Sequence, residues 1–374
     1  MENPATSKTD LKQLSKLRQR IDKNPRDQSA LFELVELLSS IGEIEEAIEG
    51  CRQLVRLSDL SPVNLEAAAK FFLDNKLFKE AVQCYRKLAE LQPDRALSHY
   101  CLGRVLQQTG DVDESIEEHR KAIDLEPGNA ECHYRFGVTL AHLRRYQEAE
   151  ERYRKAIELD PAHAKAYSNL GYLLDLKGQG EKAMQLFRKA VQYNPQSAEA
   201  HFNLGALYGE SGRHERAIHE FKMAIELDPK SLEGHFNLGI ALFERGDIDG
   251  AIEEFKKVVK LDPTHKDAYF YLGLGCHKKG LDGKAVKNLQ RALQLDPENP
   301  SILYHIGICY NRMDEPNKAI PPLKRVTEIN PRDGKAYYYL GVVYDKAGQV
   351  DKAKENYRAA DRYFQKGDRR GEKQ

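Results

Sequence analysis

Side chains capable of chemistry are plentiful in this chain, but few stand at spacings that chemistry uses. The six cysteines are Cys51, Cys84, Cys101, Cys132, Cys276 and Cys309. None forms a C-x-x-C pair, and none joins the twelve histidines at zinc-finger spacing. There is no H-E-x-x-H. The spacing therefore predicts no metal ligands and no cofactor, and the cysteines read as buried thiols in a reducing compartment. No glycine-rich phosphate loop, nucleophile elbow or isolated carboxylate pair is present, which argues against an enzyme. What does recur is an amide. Asn169, Asn203 and Asn237 stand 34 residues apart. Each offers a donor and an acceptor, so a ladder of them could hold a peptide backbone without reading its side chains.

That step of 34 belongs to the whole chain. Pro93, Pro127, Pro161, Pro195, Pro229, Pro263, Pro297 and Pro331 follow it, and Pro25 lies two steps earlier. Gly103, Gly137, Gly171, Gly205, Gly239, Gly273, Gly307 and Gly341 keep the same step, as do Ala149 to Ala353. Residues 198–231 show the physics. His201, Leu204, Gly205 and Tyr208 fall at i, i+3, i+4 and i+7, one face of a helix. Gly212 ends it, because glycine takes the left-handed C-cap conformation at little cost. Ala217, Phe221 and Ala224 form a second stripe, and Pro229 stops it. Gly205 and Ala217 lack bulk, so the two helices can approach closely. A lone hairpin cannot bury both apolar faces, so neighbours must stack.

This pattern resembles the tetratricopeptide repeat (TPR): an aromatic at position 4, Leu at 7, Gly at 8, an aromatic at 11, Ala at 20, an aromatic at 24, Ala at 27 and Pro at 32. Residues 164–197 supply Tyr167, Leu170, Gly171, Leu174, Ala183, Phe187, Ala190 and Pro195. Ten units start at 28, 62, 96, 130, 164, 198, 232, 266, 300 and 334 and cover 28–367. The resemblance implies an all-α fold, a right-handed α-solenoid superhelix of helix-turn-helix units. The departures fall near the start: Val35 at the glycine position, Cys51 and His119 at the second aromatic position, Asp59 for proline, and Ala69 for glycine. Residues 10–27 are expected to hold a capping helix, after a disordered stretch over 1–9. The last second helix is expected over about 351–366, with no further cap and a disordered basic tail at 368–374. In the ninth unit, PNKAIPPL over 316–323 predicts a kinked or late-starting helix. Pro321 and Pro322 there lack donors and crowd the preceding turn, whereas Pro316 suits a first turn.

The resemblance also implies a site. In the family, positions 2, 5, 6, 9, 12 and 13 face a concave groove that takes peptides or partner proteins. Position 5 is aromatic in eight units, including Tyr134, Phe202, Phe236, Phe270, Tyr304 and Tyr338. Position 9 changes from Glu36, Lys70 and Arg104 to apolar residues such as Ile240 and Leu274. The groove should therefore be polar early and apolar from about residue 130, and an exposed apolar strip marks a binding site. Asn169, Asn203 and Asn237 lie at position 6, beside these aromatics. Position 13 passes from Glu210 and Glu244 to Lys278, Arg312 and Lys346, a basic rim suited to a carboxylate. The two-carboxylate clamp that some TPR domains use needs Lys at position 5 and Asn at position 9. No unit has either, so chaperone-tail binding of that type is disfavoured. His99, His133, His201 and His235, all at position 4, read as packing residues.

Composition completes the expectation. The 374 residues carry 58 basic and 58 acidic side chains. Zero net charge argues against nucleic acid as a partner. No apolar run is long enough for membrane insertion, and the start lacks an apolar leader. A cytoplasmic interaction scaffold or adaptor is expected, with a protein or peptide in its concave groove. Self-association into a homo-oligomer and service as a targeting subunit for an enzyme in trans are the alternatives. Residues 1–129 carry 18 basic and 23 acidic side chains, and residues 264–374 carry 21 and 14. The basic third is where an acidic partner would be sought.

Overall fold

A computed structural model describes residues 8–57 and 59–371. They form two compact units, Met1–Lys177 and Gly178–Gln374. The first holds α1 (Lys8–Lys23), α2 (Gln28–Ser40), α3 (Ile44–Val55), α4 (Pro62–Asp74), α5 (Phe78–Leu91), α6 (Ala96–Thr109), α7 (Val112–Leu125), α8 (Ala130–His142), α9 (Tyr146–Leu159) and α10 (Ala164–Leu176). The second holds α11 (Gly180–Tyr193), α12 (Ala198–Glu210), α13 (His214–Leu227), α14 (Leu232–Arg245), α15 (Ile248–Leu261), α16 (Lys266–Lys278), α17 (Asp282–Leu295), α18 (Pro300–Arg312), α19 (Pro316–Ile329), α20 (Gly334–Lys346) and α21 (Val350–Gly371). The all-α expectation holds: consecutive helices pack as hairpins, and each hairpin's second helix packs on the next first helix within its unit. No helix among the described residues is long and apolar enough to cross a membrane.

The sequence explains each joint. Asp27, Ser61, Asn129, Ser197, Ser231, Asn299 and Asp333 each accept a backbone N–H of the first turn that follows, which fixes where a first helix starts. Behind each first helix the chain turns through one residue at positive φ. Seven of these are glycines from Gly42 to Gly348, and three are Lys76, Arg144 and Asp314. Inside the hairpin, the position-8 glycine lets a ring lie on the backbone. A Cβ at Gly239 would stand 2.7 Å from Phe255, and one at Gly205 would stand 2.9 Å from Phe221. In the first hairpin the volumes exchange sides: buried Val35 faces buried Gly50, and a Cβ there would stand 3.2 Å from its Cγ2.

Three position-4 histidines also tie hairpins together. Nδ1 of His99, His201 and His235 lies 2.6 Å from a carboxylate oxygen of Glu118, Glu220 and Glu254 respectively. Nε2 of the same rings donates to the carbonyls of Pro93, Pro195 and Pro229 at 2.8–3.2 Å. Each of these rings therefore has an oxygen partner at both nitrogens. His133 has Arg152 where the others have Glu. Its Nδ1 is buried without a partner, and burial lowers its pKa.

Two expectations are corrected at the C-terminal end. α19 does not start late: it begins at Pro316 and runs unbroken through Pro321 and Pro322 to Ile329. Pro321 is exposed and Leu323 and Val326 keep the buried stripe, so packing holds the helix despite two missing donors. α21 continues to Gly371, past the expected stop near 366, and no proline stands in that stretch to end it. At the other end α1 already includes Lys8 and Thr9, and it packs on α2 through buried Leu14 and Leu17. The remainder of the stretches expected to be disordered, 1–7 and 372–374, lies outside the described residues.

Candidate functional site: the face of the first helices

In the Gly178–Gln374 unit the first helices α12, α14, α16, α18 and α20 share one start register. α12 touches α14, α16 touches α18, and α18 touches α20. Their position-5 rings lean on the second helix behind them: Phe202 on Phe221 and Phe236 on Phe255 at 5.8 Å, and Tyr338 on Tyr357 at 6.0 Å. They also reach sideways to the ring at position 6 of the next hairpin. Phe236 meets Tyr271 at 6.0 Å, Phe270 meets His305 at 5.7 Å, and Tyr304 meets Tyr339 at 5.7 Å. Tyr271, His305 and Tyr339 in turn touch the position-5 ring of their own helix at 5.3–5.7 Å. The result is an unbroken chain of rings from Phe236 to Tyr357. Such edge-to-face and offset contacts each add roughly 0.5–1.5 kcal/mol beyond burial.

The rings are not equally available. Phe202, Phe236, Phe270 and Tyr304 are half-buried, as are Ile240 and Leu274 beside them, while Tyr338 is 47% exposed. Burial pushes the Tyr304 hydroxyl up to about 12 and holds the His305 imidazole down at about 4. Both stay uncharged near neutral pH. The face is therefore apolar and aromatic, with neutral polar edges.

The amides and basic residues are partly engaged. Asn237 Nδ2 donates to the Glu233 carbonyl of its own helix at 3.0 Å, and Asn203 is half-buried beside Phe202. Arg312 Nη1 donates to the His277 carbonyl at 3.2 Å, and Lys346 Nζ donates to the Asn311 carbonyl at 2.9 Å. Each side chain thus caps the end of the preceding first helix, where the dipole favours a cation. Lys278 Nζ sits 4.0 Å from the centre of the Phe243 ring. The basic rim spends its charge on the fold.

The Met1–Lys177 unit carries the other candidates. Tyr134 is buried, 4.8 Å from the His163 ring, and offers little surface. Asn169 Nδ2 donates to the Tyr153 hydroxyl at 3.3 Å. Here the same face is mixed: exposed Lys70 and Arg104, with Glu66 and Gln108, line a cleft of about 690 Å³ between α4 and α6 together with Val63, Leu73 and Phe78.

Sequence reasoning passed over Tyr271, His305 and Tyr339. The signal was available, since they occupy the column that holds the three asparagines. No thiol is poised for nucleophilic chemistry: burial pushes Cys51, Cys84 and Cys309 up to about 12 and Cys132 up to about 11. Among the described residues, His277, Asp282 and Cys309 stand close enough to share a cation.

Two family models match this chain. The family model described as the cilia and flagella-associated protein 70 C-terminal domain matches residues 139–374. A second, for subunit 3 of the anaphase-promoting complex (cyclosome), matches 74–156. No curated protein matches. Among solved structures, YrrB, described as a TPR protein with an unusual peptide-binding site, is 27% identical, covering 50% of this chain and 95% of its own at a TM-score of 0.48. MamA is 30% identical, covering 44% and 97% at 0.43. The Cut9–Hcn1 hetero-tetramer of the anaphase-promoting complex is 17% identical, covering 85% and 63% at 0.44. With one family model spanning more than half of the residues and the hairpin recurring along the rest, the chain belongs to the tetratricopeptide-repeat proteins, in the family of the cilia and flagella-associated protein 70 C-terminal domain.

Proposed function

We propose that this protein is a non-catalytic scaffold that binds a peptide or partner protein on the first-helix face of the Gly178–Gln374 unit. The observation that supports this reading is the ring chain from Phe236 to Tyr357, half-open to solvent and including the exposed Tyr338. A contiguous aromatic and apolar strip is costly to leave in water, and it suits apolar anchor residues of an extended or helical segment. Asn203 and Asn237 keep their amide oxygens for a bound backbone. Lys278, Arg312 and Lys346 serve mainly to hold the helix ends, so the partner's affinity should depend little on salt.

A photo-crosslinking residue placed at Tyr338, and separately at Lys324 on the second-helix side, tests the reading in cells. The expected result is partner crosslinks from 338 and few from 324. Crosslinks from 324 alone would refute the groove, and crosslinks from 338 to a second copy of the chain would establish self-assembly instead. Tyr338→Ala and Leu274→Ser should weaken a captured peptide about tenfold or more each, as expected for anchor positions.

A further inference from the structure

His277, Asp282 and Cys309 belong to different helices that converge at one point of the second unit. His277 lies in the last turn of α16, Asp282 opens α17, and Cys309 lies in α18. Their donor atoms all fall within 4.8 Å of one another. His277 Nδ1 is 2.5 Å from Asp282 Oδ1 and 3.5 Å from Cys309 Sγ. Cys309 and Asp282 are buried, and the His277 side chain is 21% exposed.

The repeat does not require these residues. One step earlier the three positions hold Phe243, Ile248 and Gly275, and one step later Asn311, Pro316 and Val343. The hairpins close equally well around those side chains. Three ligand-type departures from the pattern therefore coincide at one place. A fourth lies beside them. His305 precedes Cys309 by one turn on the same face of α18, and its buried Nδ1 has no hydrogen-bond partner.

One of the three separations already matches a tetrahedral ion. Bonds of about 2.3 Å to sulfur and 2.0–2.1 Å to nitrogen place those two atoms about 3.5 Å apart. That is the Cys309–His277 separation already present. The carboxylate oxygen must withdraw by somewhat less than 1 Å to reach the same geometry. Arg312 prepares it: Nε lies 3.4 Å from Asp282 Oδ2, which leaves Oδ1 turned towards His277. The same guanidinium also holds the His277 carbonyl. Such outer contacts orient ligands and tune their basicity. A mixed nitrogen, oxygen and sulfur set suits borderline-soft dications and not magnesium or calcium, which take oxygen.

We propose that His277, Asp282 and Cys309 form a binding site for a divalent transition metal of the zinc class, which pins the α16–α17 hairpin to α18. Loading forms a metal–sulfur bond and releases the Cys309 thiol proton to solvent. His277 binds through the Nδ1 lone pair with its proton on Nε2.

Cobalt(II) is the probe. The full chain, stripped with a chelator and dialysed, is titrated with Co²⁺. One equivalent should bring a thiolate-to-cobalt charge-transfer band and the ligand-field bands of a tetrahedral ion, and zinc should displace both. Cys309→Ser should abolish the charge-transfer band, while Cys276→Ser, at a neighbouring buried thiol, should leave it intact. His277→Gln and Asp282→Asn should weaken binding at least tenfold, and Arg312→Ala about tenfold. Circular dichroism confirms that each variant is folded. Should Cys309→Ser not fold, the His277 and Asp282 variants decide alone. No stoichiometric band, a band that survives Cys309→Ser, or undiminished binding by both other ligand variants would overturn the site.

Discussion

Two glycines of neighbouring hairpins should respond to alanine with opposite sign. Gly239 lies in α14, where an added Cβ would stand 2.7 Å from Phe255 Cε1. Comfortable carbon contacts begin near 3.5 Å, so the ring would have to retreat by most of an ångström. It has no room. Phe255 is 0% exposed, and its ring is flanked by Tyr271 at 5.3 Å and Phe236 at 5.8 Å. Overpacking of this kind costs about 1–3 kcal/mol, and alanine returns roughly 1 kcal/mol of helix propensity. Gly239→Ala should therefore lose up to about 2 kcal/mol, with a midpoint near 1 kcal/mol. Gly209 in α12 is the control, since its added Cβ would meet nothing closer than Ala217 Cβ at 4.0 Å. Gly209→Ala should gain about 0.5–1 kcal/mol. Because repeat arrays open locally, the assay is native-state hydrogen exchange resolved by helix. Amides of α14 and α15 should exchange about tenfold faster in Gly239→Ala. Those of α12 should exchange severalfold more slowly in Gly209→Ala. Equal gains in protection would refute the claim that the ring, and not helix propensity, selects glycine at position 8.

Other perturbations follow from the same contacts. His119 is fully buried, and burial holds its imidazole at about 4 against a reference of 6.5. The unfolded chain therefore binds the extra proton first as pH falls, so stability should decline from about pH 6.5 to about pH 4. His119→Phe should flatten that part of a melting-temperature profile. Lys76 and Arg144 hold φ of 61° and 58° where seven other turns use glycine. Lys76→Gly and Arg144→Gly should each raise the denaturant midpoint, by about 1 kcal/mol of stability. Pro321→Ala restores a donor inside α19, and slower exchange across 316–326 should report a gain of about 1–3 kcal/mol.

Much of the fold was legible because a hairpin repeat writes its own punctuation. Proline, left-handed glycine and capping serine or asparagine recur at fixed offsets, and each has a local physical meaning that needs no tertiary information. The late start expected of α19 does not occur, because a proline's local cost is visible in sequence, while the compensating burial of Leu323 and Val326 is not. The candidate face was legible by column but not by contact. Spacing could not show that Tyr134 is buried while Tyr338 is open, nor that Arg312 and Lys346 are turned back onto helix ends. The His277, Asp282 and Cys309 cluster was invisible for a related reason. Its members are 5 and 27 residues apart, and only stacking of two hairpins closes that distance.

The stacking of hairpins one upon the next has a mechanical consequence. A load applied between the ends of the second unit would not stretch it uniformly, because each hairpin is held chiefly by its neighbours. Yielding should come in discrete steps, each releasing one 34-residue repeat, or roughly 110–120 Å of extended chain. Each step would also part the shared ring chain at one junction and bare half of an aromatic pair. Such an array would behave less as a passive tether than as a strain gauge graduated in hairpins.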